Sequence, residues 1–296
     1  MTQKYRSIFS ACTSKERQQN FDNYWIYSQE AAGQLYETQK DLEKKRKRLK
    51  YFQDNPVRSN KPLSDPEVFY CNYVRFKGDP ATTDRKILLL TCIYKFARHE
   101  WVGISGAWDA VPSMAQSKTV RDKISRVHLA EEFCHIRFFD EMFRTFQLDK
   151  VKWAPLGPVM EKIYRIFPYF PGYLMNAPAF VTELMGMTFY QHLNALFDDV
   201  LADEPKVRDR LREILCDIMV DELAHVGQRR NFLGPVAIRF AHKIVEPMYR
   251  MFFNEIPEVK YLFDVEKMIQ EGKDFDLNSI SSEIIERSWI PSYCYA

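Results

Sequence analysis

The sequence predicts an all-α fold: a four-helix bundle with a long crossover between its second and third helices, plus extra helices at the N- and C-terminal ends. Three observations carry that expectation. Apolar residues recur at helical spacing along most of the chain. Only 10 glycines occur in 296 residues and clean alternating runs are few, which disfavours sandwiches and barrels. The connections between the four central helical segments run short, long, short.

From about Ser14 to Phe52 the sequence is polar and nearly free of glycine, and it reads as one long helix ending in the basic run Lys44 to Arg48. A cationic end suits a helix C-terminus through the macrodipole; the run otherwise reads as a solvated face or a docking surface for an acidic partner. A Pro/Asn/Ser-rich loop through Pro56, Pro62 and Pro66 follows. The first bundle helix spans about Thr83 to Val111, with Leu89, Ile93, Phe96, Ile104 and Ala107 on its apolar stripe. The second spans about Ser117 to Phe146, with Leu129, Ile136, Phe139 and Phe143 on one face. A proline-punctuated stretch carrying Pro155, Pro158, Pro168, Pro171 and Pro178 comes next and holds a short helix near Val159 to Phe167. The third bundle helix is expected over about Ala179 to Leu201 and the fourth over about Pro205 to Phe232. Further helices follow near Ala237 to Phe253 and Val259 to Gln270, then a looser tail. Short links make antiparallel neighbours of helices one and two, and of three and four; the long link is a crossover. A single domain over 1–296 is expected, with its core bundle at about 83–232 and flanking helical segments at about 1–80 and 235–296.

Composition excludes more than it identifies. The 46% hydrophobic and 28% charged fractions are those of a globular protein. A net charge of +2, from 42 Lys+Arg against 40 Asp+Glu, gives no general attraction to nucleic acid or anionic membrane. Neither a membrane-spanning run nor a signal-peptide core is visible, and the six scattered cysteines lack C-x-x-C spacing, so reduced thiols and a cytoplasmic location are expected.

Each of the four central helices carries an acid on its apolar stripe. Glu100 lies in line with Ile93, Phe96 and Ile104, and Glu183 with Phe180, Met187 and Tyr190. The second helix reads Leu129, Glu132, His135, Ile136, Phe139; the fourth reads Leu215, Ile218, Glu222, His225, Val226. Four carboxylates facing one interior require cations or protons, because an uncompensated buried carboxylate costs several kcal/mol. Glu132-x-x-His135 and Glu222-x-x-His225 each place a carboxylate and an imidazole one helical turn apart on the same side. Two such pairs, with a lone Glu from each remaining helix, form the donor pattern of a di-iron or dimanganese carboxylate site. Oxygen and imidazole donors suit iron or manganese. Glu131 and Asp221 directly precede the two glutamates and are placed to orient the histidines from behind. With 21 Glu in the chain, two E-x-x-H coincidences among six histidines arise in roughly 7% of such sequences, and an acid before each lowers that to about one in a thousand.

These segments resemble the ferritin-like di-iron carboxylate family, on LAEEFCHIRFF and MVDELAHVGQ with FARHEW and FVTELMG supplying the single glutamates. The resemblance covers about Thr83 to Phe232 and implies a ferritin-like bundle whose metal ligands are Glu100, Glu132, His135, Glu183, Glu222 and His225. It implies two iron ions, with manganese–iron and dimanganese pairs as alternatives. The paired motifs look like those of acyl carrier protein desaturases and multicomponent monooxygenases, but Cys134 and Ala224 stand before the histidines where Arg is common there. Phe139 occupies the place of the radical tyrosine of ribonucleotide reductase small subunits, and Ile218 that of the extra His of arylamine N-oxygenases. Gly186 and Met187 stand where desaturases and monooxygenases tend to carry a threonine.

Further candidates surround the ligand set. His128 lies four residues before Glu132 and seven before His135, so it shares their face and reads as an extra ligand or as a hydrogen-bond donor to one. Gly186 leaves room beside the metals or aids helix packing; Met187 and Tyr190 read as pocket or core; Arg229 reads as a holder of an anionic substrate group or as a cap on the site. His99, His192 and His242 have no motif partners and read as structural or exposed. The functional expectation is an O2-dependent di-iron oxygenase or oxidase acting on a small organic substrate by hydroxylation, N-oxygenation, desaturation or oxidative cleavage. No nucleotide or iron–sulfur motif is present, so electrons are expected from an external ferredoxin or reductase. The alternatives are iron storage or ferroxidase activity, a redox-sensing metal protein, and a tailoring enzyme whose substrate rides on an acidic carrier protein met by Lys44 to Arg48 or by Arg229 and Arg230. A homodimer is one assembly open to the chain.

Overall fold

The computed structural model describes residues 4–61, 63 and 65–296; Pro62 of the proline-rich loop lies outside the described residues. Among the described residues the regular structure is helical apart from one pair of two-residue strands and an isolated bridge between Tyr5 and Tyr295. Its helices are α1 (Ser14–Ala32), α2 (Glu43–Asp54), α3 (Pro66–Asn72), α4 (Arg85–Ala110), α5 (Val120–Thr145), α6 (Pro158–Ile166), α7 (Gly172–Val200), α8 (Pro205–Arg230), α9 (Pro235–Asn254), α10 (Val265–Lys273) and α11 (Ser282–Arg287). No helix is long and apolar enough to cross a membrane.

Local chemistry sets the starts of these helices. Thr13 and Glu16 form a capping box at α1, and Thr119 and Asp122 another at α5, so orphan amide donors are satisfied reciprocally. The Asp84 carboxylate accepts from the amides of Lys86 and Ile87 at the head of α4. Proline opens α8 and α9, where its missing N–H costs nothing.

The helix expected over Ser14 to Phe52 is two helices. Gly33 closes α1 with φ +69°, a left-handed conformation that glycine adopts without a Cβ penalty. Strands β1 (Leu35–Tyr36) and β2 (Asp41–Leu42) then pair antiparallel, with Leu35 opposite Leu42. The basic run therefore begins α2 instead of ending a helix, at the pole where the macrodipole disfavours cations. Acids compensate it: Lys45 pairs with Asp221 at 2.6 Å, Arg46 with Asp41 at 2.6 Å, Lys47 with Glu43 at 2.6 Å, and Arg48 with Glu213 at 2.7 Å.

Helix α7 begins at Gly172, well before Ala179, and contains Pro178. The carbonyl deprived of its partner belongs to Leu174, which is exposed in the first turn, so water can serve it. The helix expected over Val259 to Gln270 divides into a 3₁₀ segment, Pro257–Tyr261, and α10, whose N-cap is Asp264. The looser tail contains α11.

Helices α4 and α5 pack together, as do α7 and α8; α5 also packs on α8, and α4 on α7, closing a ring of four. Residues 146–171 carry the chain from α5 to α7 and include α6, which lies on α4. Helices α1 and α2 cover α5, α9 and α10 flank α7, and α11 lies on α8. One buried apolar cluster extends through these elements from Ile8 to Cys294. The two E-x-x-H pairs, with Glu100 and Glu183, lie on the four helices of this ring.

Candidate metal centre

Helix α5 delivers His128, Glu131, Glu132 and His135 to one face at i, i+3/i+4 and i+7 spacing, and α8 delivers Asp221, Glu222, His225 and Arg229 opposite it. Glu183 enters from α7 and Glu100 from α4. Two groups of donor atoms result, each lying within 4.8 Å of its own members: His128, Glu132, Glu183 and His225 in one; Glu132, His135 and Glu222 in the other. Glu132 belongs to both. Its Oε1 lies 3.0 Å from His225 Nδ1, and its Oε2 lies 3.4 Å from His135 Nδ1. Glu222 Oε1 is 3.2 Å from the same His135 nitrogen. Glu100 is buried beside the second group but outside it; one of its oxygens accepts from the Tyr190 hydroxyl and the other has no partner.

The acids preceding the motifs orient the histidines, and they do so crosswise. His135 Nε2 donates to Asp221 on α8 at 2.9 Å, while His225 Nε2 donates to Glu131 on α5 at 2.9 Å. Each carboxylate thus locks the tautomer of the other helix's imidazole, leaving Nδ1 turned to the centre. Neither Nδ1 atom has a hydrogen-bond partner, although both are fully buried. Nitrogen and carboxylate oxygen spaced about 3.0–3.4 Å apart are what a shared cation with bonds of about 2.0–2.2 Å requires of its donors. The donor set, its burial and these orphaned nitrogens fit a metal ion, and the cluster could hold one.

The electrostatics state the same demand. Burial drives Glu100 well above the ordinary carboxylate range, with the neighbouring charges of Glu132 and Glu222 adding to it. Burial, with the Glu132 charge, pushes Glu222 up to about 8. His135 is raised well above its usual value: burial opposes its charge, but Glu132 and the hydrogen bond to Asp221 outweigh it. His225 is raised likewise, by Glu131 and Glu132 against burial. His128 moves the opposite way, held low by burial and by the charge of His225 stacked on it. Without a cation, protons on His135, His225 and Glu222 supply the missing positive charge. A metal must displace them, so its apparent affinity rises with pH through about 8 as Glu222 ionises, and the protons released per metal fall. Calorimetry at pH 7 and pH 9 in buffers of different ionisation enthalpy measures this directly: roughly one or more protons per metal at pH 7 and fewer at pH 9 are expected. A heat of binding independent of the buffer at pH 7 contradicts it.

Beside the donors lies a cavity of ≈ 290 Å³ whose wall includes Glu100, His128, Glu132, Glu183 and Glu222. The rest of the wall is mostly apolar, with Phe96, Ile104, Leu129, Ile163, Phe167 and Phe252 among its members. Gly186 lines this cavity, and a Cβ there would stand 3.4 Å from Glu222 Oε2, so the glycine keeps side-chain atoms away from that carboxylate. Arg229 also lines the cavity and donates to Glu183 Oε1 at 3.2 Å. Tyr190 is buried behind Glu100 rather than in the wall. Met187 is fully buried core, because one residue beyond Gly186 the helix has turned about 100° away.

Several contributors to the wall and its support were not placed there by the sequence. His99, read as structural or exposed, is buried in the cavity wall with Nδ1 3.2 Å from the Tyr164 hydroxyl, and burial lowers its pKa to about 4. Tyr164, Met160 and Phe167 come from α6 and its 3₁₀ extension, which lie over the cavity. Gly103 and Gly106 on α4 accept that close approach: a Cβ on Gly106 would stand 3.3 Å from the Tyr164 carbonyl oxygen. Lys45 reaches Asp221 from α2 and makes the basic run part of the support behind His135. Arg230, read as a docking residue for a carrier, is buried and donates to the carbonyls of Ile8, Ser10 and Leu233, so it is not available to a partner. His192 pairs with Glu271, and His242 packs edge-on against Phe9, both apart from the donor groups. No protein-family model, curated protein or solved structure matches the chain.

Proposed function

We propose that the chain is a non-haem di-iron oxidoreductase of the ferritin-like carboxylate type, using O2 to oxidise a small, largely apolar organic substrate. The observation that carries the reading is Glu132, whose two oxygens face two different imidazole nitrogens in the wall of a mostly apolar cavity. Glu132 would span two metal ions. His225 and Glu183 would complete one position; His135, Glu222 and Glu100 would complete the other. When bound, a ferrous pair supplies two electrons to dioxygen. Manganese–iron and dimanganese pairs suit the same oxygen and imidazole donors.

The chain's own residues hold, orient and exclude. Asp221 and Glu131 accept from Nε2–H and so turn the Nδ1 atom of each imidazole to the metal-facing position, from which its proton would leave when a metal binds. The Tyr190 hydroxyl fixes one Glu100 oxygen and Arg229 fixes one Glu183 oxygen, so those carboxylates are held before any ligand arrives. The phenylalanine and aliphatic wall seats an apolar body against the donors and keeps bulk water from it. Electrons would come from an external reductase or ferredoxin. An iron-storage role gives no use to an apolar cavity of this volume, which favours an organic substrate.

Anaerobic loading with ferrous iron, removal of excess metal and exposure to O2 with a chemical reductant tests this reading. About two iron ions per chain are expected, with O2 uptake that tracks metal content and is lost on chelation. Accumulation of many irons per chain in a large shell would overturn it in favour of storage.

A further inference from the structure

Exposed apolar side chains are concentrated on two segments that flank the cavity. Of the 14 large hydrophobic side chains exposed among the described residues, seven lie between Val159 and Leu174, on α6, its 3₁₀ extension and the first turn of α7. Three more, Val236, Phe240 and Met251, lie on α9 and fall within about 60° of one another around it, so they form one stripe. Single exposed apolar residues are ordinary, whereas a concentration of them marks an interaction surface. Ile163 of α6 and Met251 of α9 both line the cavity, yet they are 49% and 60% exposed, so the apolar lining runs out to the surface between the two helices. Ile163 and Phe167 also line an apolar groove on the outer side of α6, with Val159, Ile166 and Phe170.

The charges on these segments favour one occupant. Lys162, Arg239 and Lys243 are exposed and have no acid partner among the described residues. The acids there are Glu161, paired with Arg165 at 2.6 Å; Glu246, paired with Arg250 and Lys273; and Glu255 at the end of α9. A net charge of +2 gives the whole chain no general attraction to an anionic surface, but this face combines apolar side chains with uncompensated cations. We infer that it rests on an anionic lipid surface, lying on it without spanning it, and that the cavity takes an apolar substrate from the lipid between α6 and α9. A second copy of the chain fits less well, because a two-fold contact sets the same cationic face against itself. That the passage carries a substrate rests on the oxidoreductase reading above; the lipid contact itself does not.

Co-sedimentation of the full chain with large unilamellar vesicles tests this. Vesicles of equal parts phosphatidylglycerol and phosphatidylcholine are expected to carry the chain down, and phosphatidylcholine alone to hold it more weakly. Val159→Glu combined with Tyr173→Glu is expected to weaken binding to the mixed vesicles roughly tenfold or more, because it sets two anions into the apolar face. These residues are 72% and 80% exposed, each sits in the first turn of a helix, where an acid is favoured, and neither lines the cavity. Circular dichroism and ferrous stoichiometry should therefore stay unchanged. Phe240→Glu on α9 carries the same expectation, so a folding failure of the first pair does not spare the proposal. Arg239→Gln with Lys243→Gln is expected to weaken binding to the mixed vesicles roughly fivefold per charge. Absence of binding to the mixed vesicles, or wild-type binding by a folded Glu variant on either segment, overturns the inference. A wild-type dimer in sedimentation velocity that the same substitutions dissolve, without vesicle binding, overturns it in favour of a second copy. Fewer than two ferrous ions per chain overturns the oxidoreductase reading and leaves vesicle binding standing, so the two failures are distinguishable.

Discussion

Replacing Glu132 with alanine is expected to abolish metal binding at both positions, with apparent affinity for ferrous iron falling more than about 100-fold at each. Losing a mere orienting partner of a ligand already costs about 10–100-fold, and Glu132 faces both imidazole groups directly. No other side chain belongs to both groups. Circular dichroism of the metal-free variant checks that the chain remains folded. Glu183→Ala is the control: it removes a donor from one group only and should spare one metal per chain. An anaerobic ferrous titration of the two variants reads the difference. Retention of one tightly bound iron by Glu132→Ala contradicts a shared carboxylate.

Asp221→Ala is expected to destabilise the chain by about 3–5 kcal/mol, because it strands the buried cation of Lys45 and frees His135 Nε2 at once. Asp221 is held at about 2: burial pushes it up, but Lys45 and then His135 outweigh burial. The carboxylate is therefore ionised throughout the neutral range, and its contribution is lost only under strongly acid conditions, as pH falls through that value. Denaturant unfolding of the metal-free chain measures the loss. The double variant Lys45→Met with Asp221→Ala should recover most of the stability, since the uncompensated charge goes with its partner, yet metal affinity should stay about 10–100-fold weak because His135 remains unanchored. Equal unfolding free energies for wild-type and Asp221→Ala chains would show that Lys45 finds another acid.

The donors were legible in the sequence because a helix converts i, i+3 spacing into a shared face without tertiary information. Glu132 with His135 and Glu222 with His225 needed nothing beyond helicity, and the acids before them were readable as partners for the histidines. What could not be read was which histidine each acid would meet. Glu131 reaches His225 and Asp221 reaches His135, an exchange set by how α5 and α8 face each other. Lys45 was hidden for the same reason, and more deeply: Gly33 and a pair of two-residue strands turn α2 back toward α8, so a run that looks like a solvated basic end supports the interior. The cavity wall was legible on α4, α5, α7 and α8. Its cover comes from α6, whose residues Met160, Tyr164 and Phe167 carry no pattern that distinguishes a lining from a core. Pro178 misplaced the start of α7 because a proline ends a helix only where the lost hydrogen bond cannot be made to water.

The central claim is that Glu132 joins two metal positions inside the four-helix ring. Anomalous diffraction at the iron absorption edge, from crystals grown of the ferrous-loaded chain, tests it most directly. Two iron peaks per chain are expected, one between Glu132, Glu183 and His225 and the other between Glu132, His135 and Glu222. A single peak at full occupancy, or iron bound only at surface carboxylates, would contradict it.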